Sequence, residues 1–248
     1  MPTLADFVKL SLDGHEIDKL TIGGKIVWVK APSYTYKLVE YITLSGDGYV
    51  DLQYIPESYQ TDGNLSLSVT LEYQTVYDGN DQTVYISGST DGSNYAGCIA
   101  YRQYRGQPDY NTLRAFAGTK NTQFYYSKLG TEKTTIIIKH SSSFIILRAL
   151  DPAGQEAYAE NYVQGSIMLN KSLYIGNCNG LSARGMIGKI SDVGLGTYSD
   201  SSVAGRLASL KPAVSADGAV GLYDVIRNIF CPAVGTVTAG PETGEYIT

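Results

Sequence analysis

The sequence predicts an all-β protein, and three observations support that prediction. Apolar and polar residues alternate over several short segments, which is the period of a strand with one buried face. No long segment repeats its apolar residues every 3.6 positions, as an amphipathic helix does. The 248-residue chain contains 27 glycines, and many of them stand in turn sequences between the alternating runs.

The first segment contains a short internal repeat that predicts two β-hairpins. Residues 9–17 read KLSLDGHEI, and residues 19–27 repeat the pattern as KLTIGGKIV. In each copy, two short strands flank a dipeptide, Asp13-Gly14 or Gly23-Gly24, that supplies the positive φ angles of a tight turn. Two hairpins, even when joined into a ribbon of three or four strands, bury too little surface to fold alone. We therefore expect residues 1–30 to form an N-terminal β-hairpin adaptor module that becomes ordered against a larger partner.

Attachment to that partner is expected to use the strands and turns of the adaptor module. Its apolar strand residues are expected to supply buried contacts. Its turn glycines are expected to allow the tight turns that leave the strand edges free to pair with another sheet. Trp28 is the only tryptophan in the chain. The candidate attachment residues are Leu12, Gly14, Ile22, Gly24 and Trp28.

The middle of the chain consists of predicted strands. Residues 65–73 place leucine, valine and tyrosine on one face and serine, threonine and glutamate on the other. Residues 134–139 and 144–150 are rich in isoleucine and form a predicted hairpin around three serines at positions 141–143. One short helix is expected at residues 201–210, with Asp200 or Ser201 as its N-cap.

The C-terminal region carries a longer pattern. Residues 185–242 contain the elements G.IG.I, GLYD, N.F and GT..AGP in that order, and residues 38–56 contain Ser45-Gly46, Tyr49 and Val50-Asp51. Together with the DG…L.I.GK.VW opening, these motifs resemble the concanavalin A-like (laminin-G-type) jelly-roll domains of phage and prophage virion structural proteins. The resemblance implies a jelly-roll β-sandwich over residues 36–242. Asp224 in the GLYD element is expected to accept backbone N–H bonds and lock the last strands together.

The resemblance also implies a setting and two functions. The first is a non-enzymatic virion accessory protein, of the capsid decoration or head-fibre type, that displays a lectin-like domain. The alternative is a tail-associated receptor-binding module that recognises host cell-surface glycan. In both cases we expect synthesis in the bacterial host cytoplasm, localisation in the virion, other virion proteins as partners and a homo-oligomeric state. Residues 1–6, MPTLAD, lack the basic start and apolar run of a signal peptide.

The residues that catalysis would need do not occur at suitable spacings. Related jelly-roll glycosidases use acidic residues at alternate positions of one strand, and neither Glu-x-Asp-x-Glu nor Glu-x-Asp-x-x-Glu is present. The two histidines, His15 and His140, have no partner at the spacing of a metal site, and no nucleophile elbow or phosphate loop occurs. We therefore expect a protein that is not an enzyme.

Metals, cofactors, nucleic acid and membrane are not expected partners. The three cysteines, Cys98, Cys178 and Cys231, follow no CxxC spacing and are predicted to be free and buried. The acidic loops at 78–81 and 91–94 offer oxygen ligands for calcium, but Asp, Asn and Gly are also what turns are made of, and we favour turns. A net charge of −5 opposes binding to nucleic acid, and the apolar runs are too short to span a bilayer.

A glycan site is expected where aromatic and polar residues are densest in the sequence. That cluster consists of Tyr95, Tyr101, Arg102, Tyr104, Arg105 and Tyr110. Strand alternation places Tyr101 and Tyr104 on opposite faces, which speaks against one shared platform. A tyrosine-lined concave face with convergent polar groups would favour glycan recognition, whereas a large flat apolar patch would favour assembly.

Overall fold

The structure is a computed structural model. It describes the backbone of the strands within residues 10–29, and it describes in full residues 35–55, 64–74, 81–127, 129–130, 132–141, 143–162, 170–179, 185–197 and 207–248.

Two hairpins occupy the N-terminal segment, as the repeat predicts. Their strands are β1 (Leu10–Leu12), β2 (His15–Ile17), β3 (Lys19–Ile22) and β4 (Lys25–Val29). Strand β1 pairs with β2 and β3 pairs with β4, both antiparallel, so the hairpins form two separate two-stranded sheets and not one ribbon. Leu12, Ile22 and Trp28 lie in these strands, and Gly14 and Gly24 lie outside the described residues. The adaptor role of residues 1–30 stays a prediction.

The rest of the described chain forms an antiparallel sandwich. Its strands are β5 (Tyr36–Val39), β6 (Ile42–Ser45), β7 (Tyr49–Asp51), β8 (Leu65–Tyr73), β9 (Gln82–Thr90), β10 (Tyr95–Gln103), β11 (Thr112–Gly118), β12 (Lys120–Tyr125), β13 (Thr134–His140), β14 (Phe144–Leu150), β15 (Glu156–Tyr162), β16 (Tyr174–Ile175), β17 (Ile187–Gly196), β18 (Ala208–Ser215), β19 (Val220–Asp224), β20 (Ile229–Val234), β21 (Val237–Ala239) and β22 (Glu242–Ile247).

Two sheets make up this sandwich. In sheet I the order is β15-β14-β13-β8-β17, and the far side of β17 pairs with β6 along its first half and with β18 along its second. Strands β19 and β20 extend sheet I beyond β18, while β5 pairs with both β18 and β22. In sheet II the order is β12-β11-β10-β9-β16-β7-β20. Strand β20 belongs to both sheets and therefore joins them.

The core lies between the two sheets and follows from the alternation along the strands. In β8, Leu65, Leu67, Val69 and Leu71 are fully buried, as the sequence pattern predicts. Strands on the opposite side contribute residues such as Ile99 of β10 to the same cluster. Burying a leucine- or isoleucine-sized side chain stabilises a fold by about 1.5–3 kcal/mol, so this layer supplies the main driving force.

The predicted hairpin at residues 134–150 is confirmed by the pairing of β13 with β14. The predicted helix at 201–210 is wrong where it is described, because residues 208–210 belong to β18, and residues 201–206 lie outside the described part. Ala208 and Leu210 are buried in the core, and that burial outweighs a weak local preference for helix. The one helical element among the described residues is a 3-10 turn, Pro108–Tyr110. No helix in that part of the chain is long and apolar enough to cross a membrane.

The GLYD element lies where β19 turns into β20. Asp224 is fully buried, and its Oδ1 accepts hydrogen bonds from the backbone N–H groups of Ser209 (3.1 Å), Ile226 (3.0 Å) and Arg227 (3.3 Å). The predicted hydrogen bonds from backbone N–H groups to Asp224 are therefore confirmed. Gly221 is required for a different reason, because a Cβ atom at this position would lie 2.3 Å from the carbonyl oxygen of Cys231 in the neighbouring strand.

All three cysteines are free and buried, as predicted. Burial raises the pKa of Cys98 well above the usual thiol value, and it raises the pKa of Cys231 to about 11. Thiols that stay protonated at neutral pH are poor nucleophiles, so Cys98 and Cys231 act as small apolar residues.

Candidate functional site

The outer face of sheet II carries a concentration of aromatic and cationic side chains. In β9–β12, one set of alternating residues enters the core, and the other set points away from it. The register aligns Tyr125, Thr112 and Arg102 in one row across three strands, and Gln123, Arg114, Ala100 and Tyr85 in the next row. We call the following residues the aromatic face: Tyr85, Tyr95, Arg102, Arg114, Phe116, Gln123 and Tyr125.

Several side chains of the aromatic face contact one another. The rings of Tyr95 and Phe116 lie 5.2 Å apart, and the Arg114 guanidinium lies 5.9 Å from the Phe116 ring centre. Arg114 Nε donates a hydrogen bond of 2.6 Å to Gln123 Oε1. Burial raises the pKa of Tyr85 to about 12, so its phenol keeps its proton at neutral pH. The face therefore presents neutral rings, one amide and guanidinium groups.

Tyr125 stands at the border of the aromatic face. Its side chain is 67% exposed, and its ring meets the ring of Tyr110 edge to face, at 5.8 Å and 88°. Tyr110 is itself 55% exposed and ends the 3-10 turn between β10 and β11. An exposed ring that is braced by a second ring loses less rotamer freedom when a ligand binds.

A cleft of about 230 Å³ opens beside Tyr125. It is lined by Tyr125, Tyr126, Ser127, Asp151, Gln155, Glu156 and Ala157. Asp151 shapes its wall, because Oδ1 accepts hydrogen bonds from the backbone N–H groups of Ala153 (3.0 Å) and Gln155 (2.8 Å) in the turn before β15. Glu156 forms an ion pair with Arg148 at 3.2 Å. The cleft is thus lined by an exposed tyrosine and by two residues with an amide and a carboxylate side chain.

An exposed ring next to amide and carboxylate groups has a defined chemical use. An aromatic ring packs against the apolar C–H face of a pyranose, while amides, carboxylates and guanidinium groups hydrogen-bond its hydroxyls. Within the described residues, no group of three or more His, Cys, Asp or Glu side chains is placed to hold a metal ion. The geometry therefore suits binding of a polar, ring-shaped ligand.

The predicted glycan residues divide into three groups. Tyr95 and Arg102 lie on the aromatic face, Tyr104 adjoins it through a 4.7 Å contact with the Arg102 guanidinium, and Tyr110 braces Tyr125. Arg105 is exposed in the turn after β10, where its backbone N–H donates to Asp81 Oδ1 at 2.8 Å.

Tyr101 is separated from this group by the strand itself. It is 1% exposed in the core, donates its hydroxyl to the carbonyl oxygen of Tyr126 (3.1 Å) and packs against Tyr73. Its side chain therefore points away from the aromatic face, because it and Arg102 are consecutive in one strand.

Several residues of the site were not predicted from the sequence. They are Tyr85, Arg114, Phe116, Gln123, Tyr125, Gln155 and Glu156. The alternation of β11 and β12 is a signal that places Arg114 and Phe116, or Gln123 and Tyr125, on one face of a strand. Which strands lie side by side is set by pairing between segments and is not visible in that alternation.

The loop at residues 91–94 is a turn that satisfies its own carboxylate. Asp91 Oδ1 accepts hydrogen bonds of 2.8 Å from the backbone N–H groups of Ser93 and Asn94, and Oδ2 accepts one of 3.1 Å from the Asn94 side chain. These bonds, those from Asn94 first, lower the pKa of Asp91 to about 2. In the other acidic loop, Asp81 is described and residues 78–80 lie outside the described residues.

Comparison with known proteins shows the fold. No family model matches the chain, and no curated protein matches its sequence. A solved structure described as a putative carbohydrate binding protein from Bacteroides ovatus is 16% identical, with a TM-score of 0.53 over 86% of this chain and 62% of that chain. The chain thus spans less than two thirds of that structure's length.

Two further structures are similar at lower scores. The heptameric SAP-like pentraxin from Limulus polyphemus is 12% identical, with a TM-score of 0.49 over 85% of this chain and 96% of that one. The enzymatically active domain of tailspike protein 2 from bacteriophage CBA120 is 10% identical, with a TM-score of 0.46 over 70% of this chain and 30% of that one. At such identities a likeness concerns the fold alone. The strand order and the likeness to the Bacteroides ovatus structure assign the chain the concanavalin A-like, laminin-G-type jelly-roll fold.

Proposed function

We propose that this protein is a non-enzymatic virion protein whose jelly roll recognises carbohydrate through the aromatic face and the adjoining cleft. The observation that carries the proposal is the position of Tyr125. Its side chain is largely exposed and contacts the ring of Tyr110, and Tyr125 lines a cleft together with Gln155 and Glu156. This combination is the feature that favours glycan recognition over a purely structural role.

The binding energy would come from stacking and hydrogen bonding together. Stacking of a sugar on Tyr125 removes apolar surface from water. Polar groups of the cleft that were hydrogen-bonded to water would instead be hydrogen-bonded to the hydroxyls of the sugar. The similar Bacteroides ovatus structure is described as carbohydrate binding, and this proposal assigns the same class of ligand to the present chain.

The virion setting is supported by the sequence motifs. The patterns at residues 38–56 and 185–242, and the N-terminal opening, resemble those of phage structural proteins. In this proposal residues 1–30 attach the protein to other virion proteins, and the sandwich is displayed on the particle as part of a homo-oligomer. Display as a capsid decoration or head fibre, and recognition of host glycan from the tail, are both compatible with such an arrangement.

Glycan binding is tested with the full chain on an array of bacterial surface oligosaccharides, followed by calorimetric titration of the best ligand. Tyr125→Ala is expected to weaken binding at least about tenfold. Tyr162→Ala is the matched control, because Tyr162 is 70% exposed in β15 and packs against another ring, that of Phe144, at 5.0 Å. Equal losses in both variants, or no glycan retained by the wild-type protein, would refute the proposed recognition.

The virion setting has an independent test. Purified particles of the phage or prophage that encodes the chain are analysed by mass spectrometry and by immunogold labelling. We expect the protein in intact particles at a fixed ratio to the major capsid or tail proteins. Its absence from washed particles would overturn the virion setting and leave the glycan proposal standing.

A further inference from the structure

We propose that the aromatic face binds an acidic glycan, whose carboxylate pairs with Arg102 and Arg114. This inference rests on the proposed glycan recognition and narrows it to carboxylated sugars, such as a uronic or a sialic acid. Five observations carry it, and four of them concern neighbouring residues of sheet II.

The two arginines are diagonal neighbours on adjacent strands. Arg102 of β10 pairs with Thr112 of β11, and Arg114 lies two residues further along the same strand, opposite Ala100. Diagonal neighbours of an antiparallel pair are separated by about 7–8 Å, which is within reach of long side chains. Both side chains can therefore reach one ligand on the aromatic face when they turn away from the rings of Tyr104 and Phe116, which they contact in this structure.

The strands that carry these arginines contain no acidic residue. The chain as a whole has 24 aspartates and glutamates and a net charge of −5. None of these residues occurs in β9, β10, β11 or β12. Like charges that lie close together on one face of a sheet repel each other, and an opposite charge between them relieves that repulsion. In this protein a bound anion would supply that charge.

The contacts of the two arginines leave donors available. The Arg102 guanidinium lies over the Tyr104 ring, and Arg114 uses only Nε to bond Gln123 while lying over Phe116. Stacking of this kind orients a guanidinium and leaves its edge for bidentate bonding to a carboxylate.

Two other described arginines, Arg148 and Arg227, are placed differently. Arg148 forms an ion pair with Glu156, and Arg227 forms one with Asp224. In these two cases the chain supplies the carboxylate for the guanidinium. For Arg102 and Arg114 the described residues supply rings and an amide instead.

Thr112 adds a further donor between Arg102 and Tyr125. It is in the same cross-strand row and is 2% exposed, yet its Oγ1 has no hydrogen-bond partner within the described residues. A buried hydroxyl without a partner costs stability. Displacement of the side chains that cover it would bring this hydroxyl within reach of a carboxylate held by Arg102.

These positions define a binding mode for one acidic sugar unit. The ring stacks on Tyr125, the carboxylate meets Arg102 and Arg114, and hydroxyls or the next sugar unit reach Gln155 and Glu156 in the cleft. The guanidinium groups discriminate against a neutral sugar, because two desolvated cations would then stay uncompensated.

The experiment compares acidic and neutral ligands on the full chain. An array that carries uronic-acid, sialic-acid and neutral oligosaccharides is probed first, and the best acidic ligand is then titrated together with its carboxyl-reduced, neutral form. We expect carboxyl reduction, Arg102→Met and Arg114→Met each to weaken binding at least about tenfold. Arg102→Lys should retain part of the affinity, because it keeps the charge and loses the bidentate geometry.

Lys189→Met is the matched control, because Lys189 is also a cation over a tyrosine ring, that of Tyr41, but in sheet I. It should leave binding unchanged, and thermal melts check that each variant is folded. If the protein binds neutral glycans, and this binding depends on Tyr125 but not on the two arginines, the proposal of an acidic ligand is wrong while the proposed glycan recognition stands. Retention of no glycan by the wild-type protein would overturn both.

Discussion

The carboxylate of Asp224 and the guanidinium of Arg227 form an ion pair that fastens the turn after β19 to the end of β7. Arg227 Nη2 donates to the carbonyl oxygen of Leu52 at 2.8 Å, and Nη1 donates to that of Gln53 at 3.2 Å. Because β19 belongs to sheet I and β7 to sheet II, the pair connects the two sheets. It lies next to β20, the strand that both sheets share.

Removing this carboxylate is predicted to destabilise the whole sandwich. Asp224→Ala leaves Arg227, whose side chain is 12% exposed, without its counterion and leaves backbone N–H groups without their acceptor. We expect a loss of about 3–5 kcal/mol in the free energy of unfolding, measured by urea denaturation. Asp217→Ala, in an exposed turn, is the control and should have a much smaller effect. Similar midpoints for both variants would show that the Asp224 network contributes little.

Gly221 is predicted to tolerate no side chain, because β20 approaches it too closely. A Cβ atom there would lie 2.3 Å from Cys231 O, so Gly221→Ala must push β19 and β20 apart. We expect a loss towards the upper end of about 1–3 kcal/mol. Gly154→Ala is the control, because Gly154 has a φ of +76° and open space around it, so that only backbone strain of about 1–2 kcal/mol arises. A Gly221→Ala variant as stable as Gly154→Ala would contradict the close approach.

The Asp91 turn is predicted to contribute to the loss of folding stability at acidic pH. Hydrogen bonds lower the pKa of Asp91 to about 2 from its usual 3.8, so the folded protein favours the ionised form. This stabilisation is complete above the unfolded-state pKa and is lost as the pH falls from about 4 to about 2. Melting temperatures of the wild type and Asp91→Asn should therefore converge over that range. Parallel curves would mean that the turn does not favour the carboxylate.

Deleting residues 1–30 is predicted to separate folding from attachment. The sandwich has its own first and last strands, so the truncated protein should stay soluble and melt cooperatively, as followed by circular dichroism. It should no longer join the particle or its oligomer. Gly14→Val and Gly24→Val should act the same way more weakly, because a β-branched residue is strained at positive φ. If the truncated protein still assembles, attachment belongs to the sandwich. If it does not fold, the hairpins belong to the core.

Local signals in the sequence were sufficient for much of the fold. The sequence repeat predicted the two N-terminal hairpins that the pairings of β1 with β2 and of β3 with β4 confirm, and alternation alone identifies the buried face of β8. The predicted helix failed because Ala208 and Leu210 gain more from burial beside β17 than from local helix formation.

The binding site was harder to predict because it is assembled by register. Arg102 and Arg114 become neighbours only through the pairing of β10 with β11, and Tyr125 meets Gln155 and Glu156 only where the edges of the two sheets approach. Such relationships depend on contacts between segments that are distant in the sequence. The pattern within any one segment therefore does not predict them.

The sandwich begins and ends side by side, and this has a mechanical consequence. Tyr36 pairs with Ile247, and the N–H of Thr35 donates to Ile247 O at 2.8 Å. Forces that separate the two ends of the sandwich would break the β5–β22 bonds one at a time. A pull that enters through Thr35 along β5 and leaves through a ligand on the aromatic face would instead load the bonds of β5 to β18 and β22 together, in shear. If the protein is tethered through residues 1–30, the ligand should therefore dissociate at a lower force than the force that unfolds the sandwich. Single-molecule pulling can measure the order of these two events.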